Sequence, residues 1–327
     1  MPTATALILG AIQIGHSVSN YNSFKRIQTL ANLNALVVTG AGQLADERDD
    51  TAGFIASGKR DQTMSAAVTK DQTAANITLN AIQDQAGEIA QDGSYRQQTL
   101  LDLNNGVLAG IADLTFIRRA ALTTSYPAPA IIQSYDRLVT AFDTFSNDVA
   151  AGTGNATLET DVSVLNAVLR MEDDASLQRA YLYQALASPQ PGLSAAALAA
   201  LTQAATQQQA DKTQFTAVAP VAQAQLLNNT VAGPQVDEAQ SAEKRAIASA
   251  NSGVGLTIGT QQSCGAEPPA QCWYGTQTAQ IMQMREVSDG LVQQVSAPHD
   301  CWVPMVSPTP ELAEAIARFS ALCASST

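Results

Sequence analysis

The chain is predicted to be all-α: two sets of packed helices, each a four-helix bundle, led by a long N-terminal helix. Three observations predict this. Apolar residues make up 46 % of the 327 positions, yet aromatics are only 5 %, so Ala and Leu carry the core. Ala, Leu, Gln and Glu are strong helix formers, and strand formers are thin outside a few Val and Ile. Apolar residues also recur at three- and four-residue intervals over long stretches, the pattern of helices with one buried face.

The elements follow in order. Ser23 to Ser57 reads as one long helix, with a line through Leu30, Asn34, Val37, Ala41, Leu44, Arg48, Thr51 and Ile55, and Gly58 as its stop. A second helix covers Thr63 to Ala90, and Gly93 breaks it. The third runs from Tyr95 to Leu122 and the fourth from Ala130 to Ala150, separated by the turn Ser125 to Pro129. The Gly-rich stretch Ala151 to Asn155 is a hinge between the two sets. Beyond it come a helix over Leu158 to Ala187, an Ala/Gln-rich helix over Ala195 to Ala217 capped by Ser194, and a short one opened by Pro220. Pro234 to Ala250 and Trp273 to Val295 complete the count at about nine, with a Gly/Cys/Pro loop at Gly253 to Pro269 between them. Such lengths pack naturally as four-helix bundles.

The ends differ from the middle. Thr5 to Gly15 is apolar but shorter than the roughly 20 residues a bilayer requires. It lacks the basic flank and cleavage site of a signal peptide. It reads either as the outer end of a transmembrane helix, the reading favoured, or as the start of a soluble helix. The expected division is therefore residues 1–16 as a membrane-helix end, 17–297 as the helical domain, and 298–327 as an atypical Pro-containing tail.

Charge and cysteines narrow the function. The formal net charge is −12, which argues against a nucleic-acid partner, since that calls for a basic footprint. Cys264, Cys272, Cys301 and Cys323 all fall in the last quarter. The short Cys264–Cys272 interval is a candidate disulfide, which suits an extracytoplasmic location. The spacings are not those of paired zinc ligands, and His299 near Cys301 adds little, so neither metal nor cofactor is expected. The two histidines, His16 and His299, sit in no catalytic setting, and GxSxG, Walker A and HExxH are absent. Gly40 to Gln43 lacks the spacing of a dinucleotide loop. The acidic runs Asp46 to Asp50 and Glu172 to Asp174 read as solvated helix faces. No enzyme is expected.

Three arginines break the pattern. Arg48 shares the inward line of Leu44 and Ile55, and a buried guanidinium needs a negative partner. That partner is either a carboxylate on a neighbouring helix or a bound anion. Arg179 lies on the line of Leu165, Leu169, Glu172, Ser176, Tyr183 and Leu186, with Glu172 two turns away as the candidate internal partner. Arg245 has small neighbours, Ser241, Ala242, Ala248 and Ser249. It is either an exposed residue paired with Asp237 or Glu238, or a third ligand. With no obvious set of buried carboxylates to meet them, inward arginines point to a small anion held between helices, because guanidinium presents planar paired donors.

The segment QLADERDDTAGFIASG (Gln43 to Gly58) resembles the first signature of the nitrate- and nitrite-sensing (NIT) family. LTFIRRAAL (Leu114 to Leu122) and YPAPAIIQSYDRLV (Tyr126 to Val139) resemble its middle helix pair. MEDDASLQRAYLYQAL (Met171 to Leu186) resembles its second arginine motif. NNTVAGPQVDEAQSAEKRAIA (Asn228 to Ala248) and WYGTQTAQIMQMREV (Trp273 to Val287) resemble its closing helices. The resemblance spans about residues 20 to 295 and is nearest to actinobacterial sensor histidine kinases. It implies two four-helix bundles with nitrate or nitrite bound at arginines between helices, carried here onto Arg48, Arg245 and Arg179. It further implies a membrane receptor, a homodimer, whose helix shift reaches a histidine kinase or an RNA-binding antiterminator. The sequence departs from that pattern in having no kinase, HAMP or antiterminator segment, a short first membrane span, and a tail that does not continue the last helix. The alternatives are a helical dimerisation or interaction module whose arginines sit in internal ion pairs, and the same fold sensing another ligand such as a carboxylate.

Overall fold

The computed structural model describes residues 21–91, 95–123, 126–151 and 156–296. The apolar run Thr5 to Gly15, His16, His299 and the tail with Cys301 and Cys323 lie outside them. The described residues form nine helices and no strand. They are α1 (Tyr21–Ala56), α2 (Gln62–Gln91), and α3, which runs from Gln97–Asp102 through a π-helical turn, Leu103–Leu108, into Ala109–Thr123. Then follow α4 (Ala128–Ala151), α5 (Ala156–Ala187), α6 (Ala195–Val218), α7 (Val221–Thr230), α8 (Pro234–Ser252) and α9 (Pro269–Ser296).

The boundaries have local causes. Gly58 takes φ +80° just past the end of α1, in the left-handed conformation that helix ends favour for glycine. Asp61 then caps α2, accepting from the Thr63 and Met64 amides at 2.8 and 3.2 Å. Ser194 caps α6 by accepting from the Ala197 amide at 3.2 Å, as its sequence position predicts. Pro234 occupies the first turn of α8, where a missing amide proton does no harm, and left-handed Gly253 ends that helix.

Helix α1 is the axis of the fold. It packs along its length against α2, α4 and α5 and touches the second half of α3. On one side Leu33, Val37, Leu44, Leu79, Ile82, Leu103, Val107, Tyr135, Phe142 and Phe145 form one core shared by α1 to α4. On the other, α5 packs against α6 and α9, with α7 and α8 also against α9. Val164, Val168, Met171, Phe215, Leu227, Ile281 and Val287 fill that region. Two smaller apolar patches join the sets across the C-terminal half of α1, one around Phe54, Tyr183 and Trp273 and one around Ala52, Ile132 and Leu201.

Close approach comes from small residues. A Cβ built on Gly53 would lie 2.1 Å from Cε1 of Tyr183, so the tyrosine ring rests on bare α1 backbone. Among the described residues one helix, Gln97–Thr123, is long and apolar enough to cross a bilayer. It buries Leu103, Val107, Leu114 and Ile117 in the α1–α4 core. Cys264 and Cys272 form the expected disulfide. The loop it closes is anchored to α8 by Glu238, which accepts from the Gln262 and Ser263 amides and from the Ser263 hydroxyl.

Candidate functional site

One turn of α1, Asp46 to Asp50, meets five other helices. Five consecutive helical residues point in every direction around the axis, and a helix polar on all sides normally faces water. Here each direction holds a partner. Glu47, Arg48 and Asp49 are fully buried. The expectation that Asp46 to Asp50 and Glu172 to Asp174 are solvated faces is therefore overturned. Because α1 is surrounded, its acidic turn forms the interior of the helix interface.

Arg48 and Arg179, both expected inward, come together there. Arg48 donates from Nε to Asp49 Oδ1 at 3.0 Å, from Nη1 to Asp173 Oδ1 at 3.3 Å and from Nη2 to Ser176 Oγ at 2.9 Å. Asp136 Oδ1 lies 3.7 Å from Nη1. Arg179, on α5, donates from Nε to Asp49 Oδ2 at 2.8 Å, from Nη2 to Asp46 Oδ1 at 2.7 Å and from Nη1 to Thr278 Oγ1 at 2.9 Å. The two arginines thus share one carboxylate, that of Asp49. The Arg179 guanidinium also stacks 4.9 Å above the Tyr274 ring, a cation–π contact. Tyr183 lies 4.7 Å from Tyr274 and completes the wall.

Two expectations of pairing change. Glu172 does not partner Arg179; it accepts from Nε of Arg285 at 2.6 Å. Arg285, on α9, also donates to both oxygens of Asp46, at 3.0 and 3.3 Å. It is an arginine of this cluster that the sequence did not single out. Its signal was available in the spacing of Thr278, Ile281, Arg285 and Ser288 on one face. Arg245 is not brought to this cluster. It is exposed on α8, donates to the Ile258 carbonyl at 3.4 Å and lies against Gly259. Its expected partner Glu238 is engaged by the loop instead.

A set of carboxylates does meet the arginines, contrary to the sequence expectation, with Asp49 fully buried and the others partly exposed. Asp46, Asp49, Asp136, Glu172 and Asp173 surround Arg48, Arg179 and Arg285, so carboxyls outnumber guanidiniums. The electrostatics follow. Burial opposes the charge on all three arginines, but the adjacent carboxylates outweigh it and hold each above its ordinary range. Burial raises Asp46 too, yet Arg179 and Arg285 together hold it below the usual carboxylate value. For Asp136, Glu172 and Asp173 burial wins over the arginines, and their pKa values rise. Asp143, close to Asp173 and Glu172, is pushed up to about 8. Among the described residues no group of His, Cys, Asp and Glu has the arrangement of a metal site.

The fold and this interior define a class: an all-helical domain whose helices are joined at a cluster of arginines and carboxylates that is buried at Arg48, Asp49 and Arg179 and partly exposed at Asp46 and Arg285. A family model described as "Nitrate and nitrite sensing" matches residues 41–296, and the chain belongs to that family. Among solved structures, that of the NasR transcription antiterminator is similar, with a TM-score of 0.67 and 15 % identity. The match covers 82 % of this chain and 68 % of that one, and it shows the fold. No curated protein matches the chain. An antiterminator as structural neighbour lends no support to the expected absence of a nucleic-acid partner, which rests on the net charge alone.

Proposed function

We propose that this chain is the extracytoplasmic ligand-sensing domain of a bacterial receptor, binding nitrate or nitrite between α1, α5 and α9 through Arg48, Arg179 and Arg285. The observation that carries the reading is the convergence of three guanidiniums from three helices on one turn of α1. Nitrate is planar and presents paired oxygens, the shape that guanidinium forks bind. An arriving anion exchanges with a carboxylate already seated there and repositions α1 against α5 and α9. A differential affinity of a few kcal/mol between two packings is enough to shift their populations. In this reading the receptor is a homodimer anchored through its N-terminal helix, and the shift travels to an output module. The Cys264–Cys272 disulfide supports an oxidising, extracytoplasmic compartment. Arg245 is left out of the site because it contacts the Gly253–Pro269 loop.

The test is isothermal titration of the full chain with sodium nitrate against a sodium chloride control, repeated on Arg179→Lys and Arg285→Lys. Saturable heat specific to nitrate or nitrite, lost in both variants while their circular dichroism is unchanged, is the expected result. A second reading is favoured by the completeness of the pairing: each of the three guanidiniums already holds a carboxylate. In that reading the cluster is a structural joint within an interaction module. A folded wild-type protein giving no nitrate- or nitrite-specific heat would establish it over the sensor.

A further inference from the structure

We infer that Asp46 is a tethered competitor for the anion: its carboxylate occupies the position a planar oxyanion takes between Arg179 and Arg285, and the ligand must displace it. This rests on the nitrate reading above and adds what sets the site's threshold. A carboxylate and a nitrate offer a guanidinium the same in-plane pair of oxygens. Asp46 uses both of its oxygens in this way. Oδ1 accepts from Arg179 on α5 at 2.7 Å, and Oδ2 accepts from Arg285 on α9 at 3.0 Å.

Position separates Asp46 from the other carboxylates. The Asp49 side chain is fully buried between Arg48 and Arg179, so leaving its place would strand a charge in the interior. The Asp46 side chain is 28 % exposed and that of Arg285 36 %. Asp46 can therefore swing to water, and the guanidiniums it releases keep partial partners, Asp49 and Thr278 for Arg179 and Glu172 for Arg285. The approach is kept short of side chains by Gly42, one turn earlier on the same face. A Cβ built there would stand 3.8 Å from Arg285 Nη2 and 4.0 Å from Glu172 Oε1, so the glycine leaves that side of the pair uncovered. Displacement also breaks the contact that ties α1 to α5 and α9 at once, which is how occupancy becomes movement.

The test titrates sodium nitrate into the full-length wild type, Asp46→Asn and Gly42→Leu. Asp46→Asn keeps the shape and removes the competing charge, so nitrate binds at least about tenfold more tightly. Gly42→Leu covers the approach and weakens binding by at least about tenfold with Asp46 unchanged. If wild type binds nitrate and Asp46→Asn binds it no more tightly, the competitor role is overturned and the sensor reading stands. If Asp46→Asn does not fold, Gly42→Leu decides, and unaltered affinity there overturns the proposal. If wild type and Asp46→Asn are both folded and neither binds nitrate, the competitor and the nitrate reading fall together.

Discussion

Arg118 grips Glu47 with a two-pronged bond, Nε to Oε1 at 2.6 Å and Nη2 to Oε2 at 2.7 Å. Glu47 is the residue of α1 that points away from the arginine cluster, and the bond ties that turn to α3. The Tyr135 hydroxyl of α4 donates to the same Oε1 at 2.7 Å. The acidic turn is thus fixed from the far side while its near side holds Arg48 and Arg179.

Removing Glu47 should show that this anchor is structural. Glu47→Ala takes the acceptor from the buried Tyr135 hydroxyl and from two of the Arg118 donors. Arg118 keeps Asn76 and is 17 % exposed, so the loss should fall at or below the about 3–5 kcal/mol of a fully buried broken pair. Urea unfolding should show a lower midpoint with an unchanged slope. Glu47→Gln, which retains one acceptor oxygen, should lose less. A change below about 1 kcal/mol in Glu47→Ala would contradict the assignment.

Gly53→Ala should be destabilising although alanine is the better helix former. The added methyl would enter the Tyr183 ring, and overpacking of this kind costs about 1–3 kcal/mol. Moving Tyr183 also disturbs Tyr274 and, through it, Arg179. Tyr183→Ala combined with Gly53→Ala should lose less than the sum of the two, a coupling that a double-mutant cycle measures.

Stability should fall as pH rises from about 4 to about 8. Burial, aided by neighbouring carboxylates, raises Asp71, Asp143 and Asp174 from 3.8 to about 8 each. A raised carboxyl means the folded state binds more protons than the unfolded one in that window. Its stabilisation is complete below pH 3.8 and is lost as pH passes through about 8. Each such proton contributes a slope of at most about 1.4 kcal/mol per pH unit, less wherever solvent screens the group. The melting temperature should be higher at pH 5 than at pH 8.5, and Asp143→Asn should flatten the dependence.

Nitrate binding should take up protons. An anion entering a cluster with more carboxyls than guanidiniums favours the protonated forms of Asp136, Glu172 and Asp173, all already raised by burial. Affinity should therefore fall as pH rises. Titration heats in two buffers of different ionisation enthalpy should differ by the protons taken up. Identical heats would show that carboxylate rearrangement alone accommodates the ligand.

Reducing the disulfide should loosen the loop before α9 without touching the arginine cluster. Closing a loop this short is worth about 2–3 kcal/mol by the chain-entropy argument. Cys264→Ser with Cys272→Ser should lower the melting temperature while leaving the nitrate affinity of the folded protein unchanged.

The sequence by itself determined the helices, their ends and the inward faces. Helix period and caps are local, so the line from Leu30 to Ile55 already placed Arg48 inside, and Ser194, Gly58 and Pro234 already marked boundaries. The cysteine spacing likewise yielded the Cys264–Cys272 bond, and the order of motifs pointed to the family. Tertiary structure decided the partners. Whether Asp46 to Asp50 faced water depended on α1 being enclosed by five helices, which no periodicity within α1 encodes. Glu172 went to Arg285 rather than to Arg179 because α9 packs beside it, more than a hundred residues along the chain. Arg245 fell outside because the loop before α9 folds onto α8 and takes up both its guanidinium and Glu238. A guanidinium at an inward position announces that a negative group must meet it, but only the packing of distant helices decides which one does.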